Sequence, residues 1–280
     1  MIGVTFQSKE GRKAILASKV IDCTGDGDIF ASAGCAYEKE YSGDDRSYNV
    51  SVVFRLGNVD SEEFRNWKYD PNSHYRDKLA EYKKLFGYRI SPFVTPMKDI
   101  MWINNFVEGK DCCSVQDLTD TEMLIRRSLN EGIEWIRANV PGFKNAFLHD
   151  TAPQLGTRGS RRLNGTYRLT MDDIAQTIEH EDTIAIIPAH RRMKYKSPIE
   201  LPYGVMLPAD DVENLLTAGR CFSSAHDAND HANLIPHCVA LGEAAGAAAA
   251  VALQSNTTFR NVDVKKVQQT LEKQGVYLPR

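Results

Sequence analysis

The sequence predicts an α/β protein, and three observations lead to that expectation. Residues 214–253 read as a short strand, a glycine turn, a polar loop and a long helix of small residues. Residues 20–34 repeat the opening of that plan, with an apolar run entering a Gly-rich turn before a short helix. Elsewhere, segments that alternate with period two are interspersed with segments of helical period.

Composition sets the outer limits. The chain has 280 residues, a formal net charge of −3 and 42% hydrophobic residues. That length allows one or two domains with a sizeable core. The slightly acidic balance argues against a nucleic-acid partner, which wants a basic face. The apolar run 238–253 contains Glu243 and is shorter than the roughly 20 residues a membrane span needs. No signal-peptide pattern opens the sequence. The six Cys lack regular spacing and read as free thiols of a cytoplasmic protein, not as a disulfide framework.

Taken in order, residues 2–6 and 14–21 read as two strands joined by a turn over Ser8–Arg12, with Gly11 placed for positive φ. Residues 29–34 read as a short helix. Residues 48–56 alternate as a half-buried strand, residues 61–86 form two helices around Asp70-Pro71-Asn72, and residues 99–106 form another strand. Thr119 and Glu122 form a capping-box pattern. The helix it starts carries Ile125, Leu129, Ile133 and Ile136 on one stripe and stops at Pro141-Gly142. Residues 163–169 are strand-like. Thr170 and Asp173 cap a further short helix, residues 184–187 form a buried strand, and residues 201–207 lead back to the strand at Leu215-Leu216. Asp263 caps a terminal helix with Val264, Val267 and Leu271 on one face and Gly275 at its end.

The chemistry concentrates in the turns. A strand ending in glycines before a helix presents backbone N–H groups and a positive dipole end to a phosphate or ribose. Asp22, Thr24, Gly25, Asp26 and Gly27 form one such turn. Its alternative reading is a tight turn whose acidic residues cap the helix. Gly219-Arg220 and the helix opened by Pro236 form the other, with His237, Cys238 and Gly242 in the first turns. Gly242 and Gly246 share one helix face, over which a strand or cofactor can lie closely; a buried core helix without a ligand is the alternative. Arg158, Arg161 and Arg162 could recognise an anion, because guanidinium forks match carboxylates and phosphates, or could border an acidic protein surface. The run His226, Asp227, Asp230, His231 invites a zinc hydrolase as a rival class. However, the nearest pattern, HxHxDH, would need His where Ala228 stands. No Ser sits in a GxSxG elbow.

Three separated blocks now fall into one order: residues 20–28 with TGDGD, residues 160–173 with SRR…G.Y.LT..D, and residues 217–250 with AGR…LG.AAG.AAA. In this order the sequence resembles the FAD-dependent oxidoreductases of the two-dinucleotide-binding-domain type. The resemblance covers most of residues 2–253. It implies part of an FAD-binding three-layer ββα domain with an inserted mixed α+β substrate domain. The boundaries it implies are 1–45 and 201–280 for the FAD domain and 46–200 for the insert. It further implies that Thr24-Gly25 passes the FAD pyrophosphate and ribose, and that Gly219-Arg220 follows the ribityl chain and phosphates. The helix from Pro236 would aim its N-terminus at the flavin N1 and C2 carbonyl edge, where reduced flavin gathers charge. Arg161 or Arg162 would hold the anion of a small-molecule substrate, and His226 would move a proton. A homo-oligomer is compatible with all of this.

Two departures accompany the resemblance. The family opens with a strand–GxGxxG–helix that grips the ADP half of FAD, and no GxGxxG occurs in the 280 residues. The expectation is therefore the C-terminal portion of such an enzyme, N-terminally truncated and binding FAD weakly or not at all. A non-catalytic remnant is the alternative. The family pattern also carries Arg where Asn233 stands.

Overall fold

In the computed structural model, which describes residues 1–39, 50–176, 178–188 and 198–279, the chain opens with an antiparallel hairpin. It pairs β1 (Gly3–Ser8) with β2 (Gly11–Leu16). Ser8 closes the turn by donating its hydroxyl to the Gly11 carbonyl at 2.9 Å, and Gly11 adopts φ +97°. The single strand expected over 14–21 is two. β2 is almost wholly exposed and ends at Leu16, whereas β3 (Val20–Asp22) is largely buried and leaves the hairpin. It pairs in parallel with residues 215–217, in register Val20 with Leu215 and Asp22 with Thr217. Burial against the Leu215-Leu216 run outweighs continuation of an exposed ribbon. Helix α1 (Asp28–Ser32) and the short β4 (Tyr37–Glu38) follow.

A separate unit follows. β5 (Val50–Ser51) and β6 (Phe54–Gly57) replace the single strand expected over 48–56, of which residues 48 and 49 lie outside the described residues. The two expected helices are α2 (Ser61–Tyr69) and α3 (Tyr75–Phe86), parted at Pro71. β7 (Arg89–Val94), which the sequence reading lacks, pairs with β8 (Met101–Phe106). Helix α4 (Val115–Asn139) buries Ile125, Leu129, Ile133 and Ile136 as one stripe. Its cap is Ser114, not Thr119: the Ser114 hydroxyl accepts the Asp117 N–H, while Thr119 lies inside the helix and bonds back to the Val115 carbonyl at 2.8 Å. β9 (Phe147–Thr151) completes an antiparallel sheet of order β7-β8-β6-β9, and β10 (Gly156–Thr157) pairs with β5. Phe54, Leu56, Met101 and Ile103 from the sheet and Tyr82, Ile125 and Ile133 from the helices share one core.

The chain then returns to the first unit. The strand-like 163–169 stretch contains only the short β11 (Arg162–Leu163), paired with β4, and single bridges at Gly165 and Leu169. Helix α5 (Met171–Gln176) has the expected reciprocal cap, in which Asp173 accepts the Thr170 N–H at 2.6 Å and its own N–H donates to the Thr170 hydroxyl at 3.4 Å. β12 (Thr183–Ile187) and β13 (Ile199–Pro202) pair antiparallel, and β14 (Leu215–Thr217) pairs with β3. The polar loop expected after β14 contains a helix, α6 (His226–Ala232). Helix α7 (Ile235–Gln254) starts one residue before Pro236, and α8 (Val264–Lys273) is capped by Asp263 as expected.

At 20 residues α7 is long and apolar enough to cross a membrane by length and composition, a longer element than the sequence run indicates. Its Leu241, Ala244, Ala245, Ala248 and Ala252 nonetheless pack in one core with Leu216, Ile184, Leu201, Val267 and Leu271. The same core holds Leu169, Ile174, Ile187 and Ile199. The chain accordingly divides into Met1–Glu40 with Gly159–Arg280, and Tyr41–Arg158. Residues 159–200, expected in the insert, belong with the first unit because their apolar side chains bury against α7 and β14. The boundary expected at residues 45 and 46 lies outside the described residues.

Candidate functional site

β3 and β14 end side by side. The Asp22 carbonyl accepts the Ala218 N–H at 2.9 Å and the Thr217 hydroxyl at 3.2 Å, which ties the two following turns together. In parallel sheets, ligands bind outside the carboxyl ends of the strands.

The first turn is built around the Asp22 side chain, which is fully buried. Its Oδ1 accepts the Thr24 N–H at 3.0 Å and the Thr24 hydroxyl at 2.7 Å. Its Oδ2 accepts the N–H groups of Ile29 and Phe30 at 3.0 and 2.9 Å. Asp22 therefore satisfies the first turn of α1 from six residues before the helix, as in the capping alternative. The Thr24 hydroxyl in turn accepts the Asp28 N–H at 2.9 Å. Gly27 is the left-handed N-cap, and a Cβ there would lie 2.0 Å from the Phe30 ring. Gly27 thus serves the packing of α1.

Gly25 faces Arg220. It adopts φ +82°, and a Cβ would lie 2.2 Å from Arg220 Nη1 and 2.5 Å from Cζ. The guanidinium lies against the glycine backbone, where only glycine leaves room. Arg220 Nη2 pairs with Asp26 Oδ2 at 2.9 Å, with side chains 26% and 18% exposed. Asp26 Oδ1 accepts the Ser160 hydroxyl at 2.9 Å, and its carbonyl accepts Arg161 Nη1 at 3.0 Å. Gly219 has φ +102° and open space where a side chain would stand.

Arg220 leads onward to α7. Its carbonyl accepts Asn229 Nδ2 at 3.0 Å, Asn229 Oδ1 accepts Asn233 Nδ2 at 3.0 Å, and the Asn233 carbonyl accepts the Cys238 thiol at 3.4 Å. Burial pushes the Cys238 thiol above its ordinary range, and the Arg220 charge pulls the other way. The Thr24–Gly25 bend thus meets the Arg220 guanidinium, and the start of α7 is tied to the Arg220 carbonyl through Asn229 and Asn233. No side chain caps α7, whose N-cap is Leu234 and which carries Pro236 in its first turn. A helix end of this kind offers its positive dipole to an anion.

The remaining candidates divide. Arg161 Nη1 pairs with Asp28 at 2.8 Å, and its guanidinium stacks on Tyr37 at 5.5 Å. Arg162 is buried, donates to the Ser224 carbonyl at 3.1 Å and lies 3.7 Å from Glu38. Each thus has a carboxylate neighbour. His226 is half-buried at the first position of α6, His237 is buried in the first turn of α7, and Gly242 lies two turns along α7 with open space beside its Cα. Sequence reasoning gave no role to Ser160, the first residue of the SRR block, and missed Asn229, which is 2% exposed and also bonded to Ser224 Oγ at 2.9 Å. The one available signal was the four-residue spacing of Asn229 and Asn233. Where the resemblance expects Arg, Asn233 continues this amide chain.

For the rival zinc reading, no group of three or more His, Cys, Asp or Glu side chains is arranged to hold a metal among the described residues. None of the six cysteines, all among the described residues, is joined in a disulfide. These residues fit an elongated, anionic ligand: a guanidinium laid on glycine, an open glycine beside it and an uncapped helix end beyond. The model of one protein family, described as FAD dependent oxidoreductase, matches residues 1–271. No curated protein and no solved structure matches the chain.

Proposed function

The chain belongs to the FAD-dependent oxidoreductase family, and on that premise we propose that the turns after β3 and β14 and the start of α7 together hold FAD. The observation that supports this most is the continuous path Gly25–Arg220–Asn229–Asn233–Cys238, which gives three separated segments one common focus. When bound, the cofactor supplies the redox chemistry, a hydride exchange with a small substrate. The chain supplies the rest. Arg220 offers its guanidinium to the phosphates and Gly219 leaves the backbone open beside it. The first turn of α7, uncapped by any side chain, would offer its positive dipole to charge gathered on the bound cofactor. His226 holds or moves the substrate proton. Arg161, which donates to the Asp26 carbonyl and pairs with Asp28, braces the turn after β3, and Arg161 or Arg162 would hold the substrate anion by sharing it with the carboxylate each already neighbours. No GxGxxG lies in the 280 residues, so we infer that the chain by itself binds FAD weakly. Titrating the purified chain with FAD and following flavin fluorescence tests this. Weak, saturable binding that Arg220→Ala weakens about ten- to a hundredfold, the scale of a lost charge-assisted hydrogen bond, is the expected result. Stoichiometric flavin retained through gel filtration would refute weak binding, and affinity indifferent to Arg220 would refute the site.

A further inference from the structure

We propose that Asp26 is an internal competitor for the anion that Arg220 binds: its carboxylate stands where a phosphate oxygen pair of a ligand would stand. This rests on the reading that Arg220 faces the phosphates of the cofactor. The two Asp26 oxygens are each met by a donor from a different segment, the Ser160 hydroxyl at 2.9 Å and Arg220 Nη2 at 2.9 Å. A hydroxyl and a guanidinium converging on two oxygens recognise phosphate and carboxylate alike. The pair is not sealed, since 26% of the Arg220 side chain and 18% of the Asp26 side chain remain exposed, so a dissolved anion has access to Arg220, while the buried Ser160 hydroxyl becomes available only where Asp26 is displaced. The Gly25 backbone flanks the Arg220 guanidinium on one side, which keeps it beside Asp26 in this turn. An incoming phosphate must therefore share Arg220 with Asp26 or displace it. The carboxylate also repels it at a separation where Coulomb energy is appreciable. Asp26 thereby sets the affinity of the site below what Ser160 and Arg220 alone would give.

The test compares wild type and Asp26→Asn in binding inorganic pyrophosphate and FAD, by calorimetry at low and moderate salt. The amide oxygen of Asn still accepts from Ser160 or Arg220, so the turn keeps a hydrogen bond while losing its charge. Binding of pyrophosphate two- to fivefold tighter in Asp26→Asn, and a loss of that gain in an Arg220→Ala background, is the expected result. Equal or weaker pyrophosphate binding by a folded Asp26→Asn protein overturns the proposal, as does a gain that survives removal of Arg220. If Asp26→Asn does not fold, Asp26→Ser removes the same charge and carries the same expectation. The two readings separate cleanly. Tighter pyrophosphate with no FAD binding by either protein supports the competitor role and sinks the flavin site. FAD binding of equal strength in both does the reverse.

Discussion

The guanidinium of Arg220 rests on the backbone of Gly25, so close that a methyl group at residue 25 would begin 2.2 Å from Nη1 and 2.5 Å from Cζ. Two turns that lie almost two hundred residues apart in sequence meet at this contact. Gly25→Ala is the sharpest probe of it. The substitution adds strain at φ +82°, costing about 1 kcal/mol, and must also push Arg220 aside. Thermal unfolding should fall by several degrees, and anion affinity should fall with it. Gly34→Ala is the control, since it shares a φ of +84° but has nothing within 4 Å of the added atom. It should lose stability while keeping affinity.

Asp22 governs whether the first turn exists. Its buried carboxylate accepts three backbone N–H groups and one hydroxyl. Asp22→Ala should destabilise the protein by about 3 kcal/mol or more, because the N–H groups of Ile29 and Phe30 lose their charged partner inside the protein. Denaturant unfolding measures the loss. A change below about 0.5 kcal/mol would show that the turn holds without it.

The start of α4 offers a paired test. Ser114→Ala removes the helix cap and should cost about 1 kcal/mol, whereas Thr119→Ala, inside the helix, should cost little or even stabilise. Equilibrium unfolding of the two variants decides between Ser114 and the capping-box pattern as the true helix start.

How far the sequence alone reaches can be judged from these elements. The stripe Ile125, Leu129, Ile133, Ile136 and the caps Asp263 and Thr170 were legible because their causes are local: helical spacing, or a side chain reaching two or three residues. The glycine turn was legible as a turn, and Arg220 as a residue of interest. The hidden features depend on long-range partners. β3 separates from β2 because of Leu215-Leu216, far along the chain. Residues 159–200 join the first unit through burial against α7. Ser160 finds Asp26, and Asn229 finds the Arg220 carbonyl, only once the two parallel strands have brought the turns together. No residue spacing encodes those contacts.

The buried thiols make stability fall at high pH. Burial pushes Cys35 up to about 11, with the Asp210 carboxylate adding to it, and pushes Cys221 up to about 12 against the opposing hydrogen bond to Thr217. Both folded values lie above the ordinary thiol value. The unfolded chain therefore loses these protons first, and stability is complete below about pH 8.5 and declines as pH rises from there toward 11. Each thiol contributes a slope of up to about 1.4 kcal/mol per pH unit in that window. Denaturant midpoints measured between pH 7 and 10.5 should drop on the alkaline side, and Cys221→Ser should make the drop shallower. In the native state at pH 8 a thiol reagent should reach the exposed Cys23 long before the buried Cys35 and Cys221.

The common focus of three segments is most directly tested by amide hydrogen exchange with and without FAD. Binding should slow exchange together in residues 23–28, 218–221 and 235–239. Protection confined to one of these segments, or found elsewhere in the chain, would contradict a single site shared by the two turns and the start of α7.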